Sequence, residues 1–217
     1  MKQYFLGIEF GSTRIKAVLL DEKHAIVKSG DYTWKSSLEN GVWTYHMEDV
    51  QEGLRTAIRN LGKLPGKISA MGVSGMMHGY LAFDKDWNLL APFRTWQNTM
   101  TGEAADKLTE AFGFNIPQRW SAAHLYQAVL NGEPHVKNIA HVTTLAGYVH
   151  YLLTGENALG VGEASGMFPI DSETLTYDAA MLDKFDALMA KYGFDWNIRA
   201  VLPEVRTAGQ SAGLLTP

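Results

Sequence analysis

Along the first third of the chain, short runs of apolar and β-favouring residues are separated by polar turn formers. Residues 4–10 form such a run, Gly11-Ser12-Thr13 is a turn signal, and residues 15–20 are apolar again, which predicts a β-hairpin. A second polar turn, Asp21-Glu22-Lys23-His24, leads into residues 25–34 as a third antiparallel strand. The period then changes. Val50, Leu54, Ala57, Ile58 and Leu61 fall at helical spacing, with Asp49 as N-cap and Gly62 as the stop. Trp43 and Tyr45, just ahead of this helix, read as packing anchors. Residues 67–74 predict a buried strand reached from the helix by a crossover. Residues 80–83 and 89–94 predict a short hairpin, and helices are predicted over residues 102–112, 124–130, 145–153 and 179–192. Strands dominate the first half and helices the second, so the fold class is α/β with a helical extension. No stretch reads as a linker or a repeat, and residues 1–217 are expected to form one domain.

Composition narrows the functions open to such a fold. With 19% charged residues and a net charge of −4, the chain has no basic stripe to neutralise phosphates, so no nucleic-acid partner is expected. The absence of cysteine excludes disulfides, thiolate metal sites and cysteine nucleophiles. Glu9 interrupts the opening apolar run before it reaches signal-peptide length, and no run approaches the roughly 20 apolar residues that span a bilayer. The expected setting is therefore the cytoplasm, without membrane contact, and a homodimer stays open. His124, His141 and His150 lack metal-ligand spacing and read as structural.

Three stretches carry candidate chemistry. In the first, Glu9 ends a strand and Gly11-Ser12-Thr13 makes a tight turn beside it. Glycine lets backbone approach a phosphate, successive turn N–H groups make an anion-binding concavity, and hydroxyls add donors. A carboxylate at that place can hold Mg²⁺ through water. An ordinary hairpin turn would account for the same residues equally well. The stretch resembles the first phosphate motif of the sugar kinase, actin and heat-shock-protein ATPase superfamily, usually Asp-x-Gly-Thr-[Ser/Thr]; Glu9 stands in place of the aspartate and Ser12 in place of the frequent threonine.

The second stretch, Ser74-Gly75-Met76-Met77-His78-Gly79, lies at the C-terminal end of a predicted strand, where ligand clefts of α/β sheets open. It resembles the Gly-Gln-Met-His-Gly segment of xylulose kinases in the FGGY family, with Met76 in place of glutamine. The third runs from Pro92 to Thr101 and is similar to that family's Trp-x-Asp-x-Arg motif, with Trp96 matching, Asn98 at the aspartate and Met100 at the arginine. Tryptophan stacks on the apolar face of a sugar, and a polar residue two positions on can bind hydroxyls. Further on, the sequence from Gly162 to Met167 resembles the family's Ser-Asp-Ala-Ser-Gly segment, with Glu163 for aspartate, and the last residues resemble its Gly-x-Leu-Thr-Pro-Glu segment.

The resemblance implies a ribonuclease H-like core and transfer of the ATP γ-phosphoryl group to a small sugar, a ketopentose such as xylulose being the first candidate. It implies that Glu9 orients Mg²⁺ and phosphates, Gly11, Ser12 and Thr13 bind phosphate, and Met77, His78, Trp96 and Asn98 hold the sugar. The family's general base and adenine site lie beyond the matched segment, so a C-terminal ATP-binding domain is the implied partner, and residues 1–217 alone are expected to be inactive. Glu9, Asn98 and Glu163 all depart from the family's aspartates, which leaves a non-catalytic sugar-binding protein as the alternative.

Overall fold

A computed structural model describes residues 2–216; Met1 and Pro217, the two ends of the expected domain, lie outside the described residues. The chain divides into two units, with the boundary between Met76 and Met77.

The first unit comprises β1 (Gln3–Phe10), β2 (Arg14–Leu20), β3 (Ile26–Thr33), β4 (Ser37–Glu39), β5 (Val42–Thr44), α1 (Met47–Arg59) and β6 (Lys67–Gly75). Its sheet has the order β3-β2-β1-β6, antiparallel from β3 to β1 and parallel between β1 and β6. The period of two sends Leu6, Ile8 and Phe10 of β1 and Ile15, Ala17 and Leu19 of β2 into the core, with Val50, Leu54 and Ala57 of α1. Glu9, between two inward residues, is left on the open face. The helix lies so close that a Cβ on Gly30 would sit 2.3 Å from the Ala57 carbonyl oxygen.

Three features of this unit differ from the sequence expectation. The first helix begins at Met47, so Asp49 lies inside its first turn beside Glu48, where both carboxylates complement the helix dipole, and His46 occupies the N-cap position. The strand expected to be buried, β6, is partly exposed along its length, because among the described residues it pairs with β1 alone. The β4–β5 hairpin is additional to the predicted elements, although Asn40 and Gly41 at its turn, with φ of 49° and 81°, are the residues such turns require.

The second unit comprises β7 (Leu81–Phe83), α2 (Gly102–Phe112), α3 (Ser121–Leu130), β8 (His141–Thr143), α4 (Leu145–Thr154), β9 (Ala158–Gly160), α5 (Val161–Ala164), α6 (Ala179–Met189), α7 (Ile198–Val201) and β10 (Glu204–Arg206). Leu108, Phe112, Leu125, Met167, Phe168 and Phe185 meet in its core. The helix α4 starts at a side-chain cap, Thr144 Oγ1 accepting from Gly147 N at 3.3 Å, and stops at left-handed Gly155. The hairpin expected over residues 80–94 is reduced to bridges at Tyr80–Arg94 and Phe83–Leu89, and β7 pairs instead with β8.

Candidate functional site

The candidate residues fall on both units, and each set is built within its own. In the first unit β1 ends at Phe10 and the chain turns through Gly11, Ser12 and Thr13 into β2. Ser12 and Thr13 are exposed. Glu9 is paired in register with Lys16 on β2 and Ser74 on β6, and Lys16 Nζ reaches Glu9 Oε2 at 3.3 Å. Both side chains are about half exposed, so this ion pair is weak and leaves the carboxylate accessible.

The turn's carbonyls are all engaged. Trp34 Nε1 donates to Gly11 O at 2.7 Å, Tyr45 Oη donates to Ser12 O at 2.7 Å, and Trp34 N donates to Thr13 O at 3.2 Å. No group of three or more metal-ligating side chains occurs among the described residues. A single accessible carboxylate beside an exposed turn still fits Mg²⁺, which keeps several waters and is bound through one or two carboxylates together with phosphate oxygens.

In the second unit, His78 and Gly79 both have left-handed backbones, with φ of 72° and 102°. A Cβ on Gly79 would lie 2.8 Å from the Arg94 carbonyl oxygen, so only glycine fits. Its N–H donates to Arg119 O at 3.2 Å and its carbonyl accepts from Ser121 Oγ at 2.5 Å. For His78, at φ 72°, the left-handed conformation costs energy, although histidine adopts it more readily than most residues with a Cβ. The ring Nδ1 lies 3.1 Å from Gly166 O. Since a carbonyl can only accept, Nδ1 carries the proton and Nε2 is left as an acceptor. Burial pulls the His78 pKa below its usual value, the Gly166 hydrogen bond opposes this, and the nearby Arg119 charge adds to the lowering.

The segment after α5 closes on the same residues. A Cβ on Gly166 would lie 2.6 Å from His78 Nδ1 and 2.9 Å from Met77 Cγ, so the motif from Gly162 to Met167 touches the Met77-His78 pair. Met77 and Trp96 are exposed, whereas Asn98 is buried with its Nδ2 donating to Thr95 O at 3.0 Å. The carboxyl of Glu163, half-buried beside Thr144, has its pKa raised by desolvation.

Beneath Gly79 lies a polar cluster that no local sequence signal marks. Arg94 forms an ion pair with Glu133, His135 Nδ1 stands 3.5 Å from Glu133 Oε2, and Tyr80 Oη and His135 Nε2 share a hydrogen bond at 2.8 Å. The Arg94 guanidinium also lies over the Tyr80 ring at 5.4 Å, and the His124 ring stacks with Tyr80 at 6.3 Å. Burial holds His124 neutral, with a pKa of about 3. Arg119 is equally silent in the sequence; no spacing rule flags a single arginine, and the Gly79 hydrogen bond is what places it beside His78.

Residues 4–217 match the family model described as the FGGY family of carbohydrate kinases, N-terminal domain. The chain is 24% identical to a glycerol kinase of Thermococcus gammatolerans, covering 98% of this chain and 45% of that protein. It is likewise 24% identical to a xylulose kinase of Haemophilus influenzae, covering 98% and 46%. Its fold superposes on the crystal structure of a xyloylose kinase from Brucella ovis with a TM-score of 0.84 at 23% identity, over 98% of this chain and 44% of that one. The chain thus spans a little under half the length of the relatives it matches.

Proposed function

The chain belongs to the FGGY family of carbohydrate kinases, and from that premise we propose that it supplies the sugar-holding residues and part of the phosphate and metal site of an ATP-dependent sugar kinase. In this reading residues 1–217 are the N-terminal domain, and a C-terminal domain of the same protein completes the nucleotide site in the cytoplasm. The carrying observation is His78, held in a strained backbone with Nδ1 committed to Gly166 so that Nε2 is available to a sugar hydroxyl.

Phosphoryl transfer depends mainly on positioning and charge neutralisation. Gly11, Ser12 and Thr13 bind phosphate oxygens, and Glu9 holds Mg²⁺ through water; the ion, when bound, neutralises charge on the phosphates. Met77 and His78 hold the sugar, Trp96 stacks on its apolar face, and Asn98 acts from the buried end of the same turn. The finer reading is a ketopentose such as xylulose, supported by the Met77-His78 stretch and by xylulose kinases among the relatives. Glycerol kinases among them make glycerol the competitor.

The test is ATP turnover by the whole protein with a panel of ketoses, aldoses and polyols. Turnover fastest with a ketopentose is expected. Turnover fastest with glycerol would keep the kinase and overturn the ketopentose, and sugar binding without turnover would replace both with a non-catalytic sugar-binding protein.

A pH dependence follows from His78. Its folded pKa is depressed below the usual 6.5, so the neutral ring persists through pH 7 and its stability contribution is lost only as pH falls below 6.5 toward the folded value. Protonation would turn the Nε2 acceptor into a donor. The KM for sugar is therefore expected to stay flat from pH 8 to 6.5 and to rise below it. A KM that already climbs severalfold between pH 8 and 7 would contradict the acceptor role.

A further inference from the structure

Three consecutive carbonyls in the turn between β1 and β2 are tied to two aromatic residues from other parts of the first unit. Trp34 lies just past the end of β3, and Tyr45 lies between β5 and α1. Both are buried, at 5% and 3% exposure, and their rings lie 4.2 Å apart. Phe10, the last residue of β1, meets Trp34 edge-on at 6.0 Å, so the aromatic pair is fixed to the strand that leads into the turn. Burial raises the Tyr45 pKa and a side-chain hydrogen bond with Ser36 opposes the shift, while the hydroxyl donates to Ser12 O.

In a planar trans peptide the C=O of one residue and the N–H of the next point in opposite directions. Holding the Gly11 carbonyl on Trp34 therefore turns the Ser12 N–H away from the protein, and holding the Ser12 carbonyl on Tyr45 does the same for the Thr13 N–H. Were either peptide to flip, a carbonyl oxygen would face the ligand where an anion needs a donor. Turns of small polar residues accommodate more than one peptide orientation; Gly11 N–H is held by Arg14 O at 2.9 Å, and the two peptides that follow are the ones the aromatic pair fixes.

We propose that Tyr45 and Trp34 are positioning residues for phosphate: they touch no ligand themselves, but by binding the turn's carbonyls they lock its N–H groups toward a nucleotide polyphosphate. This rests on the phosphate role given above to Gly11, Ser12 and Thr13. Tyr45 is the sharper probe, because its hydroxyl makes the contact while its ring does the packing.

The experiment compares Tyr45→Phe, Trp34→Phe and Thr13→Ala in the whole protein, measuring KM for ATP, KM for sugar, kcat and Tm. Losing one hydrogen bond to a flexible turn is expected to raise KM for ATP about five- to tenfold in Tyr45→Phe, with KM for sugar within about twofold of the parent and Tm nearly unchanged. Trp34→Phe should shift KM for ATP in the same direction. An unchanged KM for ATP in both aromatic variants, or a parallel rise in both KM values with a falling Tm, would overturn the positioning role. Thr13→Ala separates the two levels: raised KM for ATP there, with silent aromatic variants, sinks only the clamp, whereas no effect in any of the three sinks the phosphate turn with it.

Discussion

Truncating Glu9 to alanine is expected to lower kcat by about a hundred- to a thousandfold while leaving sugar binding and thermal stability close to the parent. The separation is possible because of where the strand period puts this residue. Ile8 and Phe10 carry the packing on either side of it, and Glu9 itself faces outward, paired with the half-exposed Lys16. Its loss therefore creates no cavity and breaks a surface ion pair, which contributes little to folding. Under the proposed function the reaction is exposed to it differently, since charge at the transferring phosphoryl group would be neutralised by a metal that this carboxylate would help to hold. Glu9→Asp shortens the side chain to the form usual in the superfamily and should retain activity within about tenfold, because water-mediated contact tolerates one methylene. Steady-state kinetics with circular-dichroism melting decides the matter. If Glu9→Ala keeps more than a tenth of parent turnover, the residue does not face the metal.

Much of the candidate site is proposed from the sequence alone, because its residues lie on short local signals. The turn after β1, the Met77-His78 pair and Trp96 are each recognisable from a few adjacent residues, and the expected bounds of α2 and α4 lie within one residue of those observed, each helix stopping at a left-handed glycine, Gly113 or Gly155. The features that the sequence hides are non-local. The partner of β7 is β8, some 60 residues further on, and no pattern inside residues 80–94 shows that pairing to be stronger than the hairpin. Tyr45 is legible as a buried aromatic but not as a hydrogen-bond donor to Ser12, since that contact joins residues 33 apart. The exposure of β6 is hidden because apolar content cannot distinguish a strand covered on both sides from one at a sheet edge. Asn98 shows a subtler limit: its motif position is plain, yet its burial and its bond to Thr95 depend on how the turn packs.

The cluster around Arg94 lies wholly outside sequence reach, and it carries the largest expected change in stability. The Arg94 side chain is 8% exposed and pairs with Glu133, itself 23% exposed. Burial pushes the Glu133 pKa up, but the Arg94 hydrogen bond and charge outweigh it and hold the carboxyl ionised below its usual value. Replacing Arg94 by alanine would strand that charge beside His135 and remove the cation lying over Tyr80, so a loss of about 3–5 kcal/mol is expected, as for other broken buried pairs. That is a large fraction of a typical domain's stability and corresponds to a fall in Tm of about 6–20 °C. Arg94→Met with Glu133→Leu, which removes both charges and retains volume, should recover most of the loss, because the cost lies in the unpaired ion rather than in the missing attraction. Function should follow stability only in part. The Arg94 backbone is bridged to Tyr80 and its carbonyl abuts Gly79, so the single variant is also expected to loosen the His78-Gly79 turn and raise KM for sugar, with KM for ATP unaffected. Urea unfolding of the three proteins, read beside those two KM values, decides it: a single variant within about 1 kcal/mol of the parent would show that the ion pair is solvated enough to be dispensable, and a double variant no better than the single would show that Arg94 matters through its packing and not its charge.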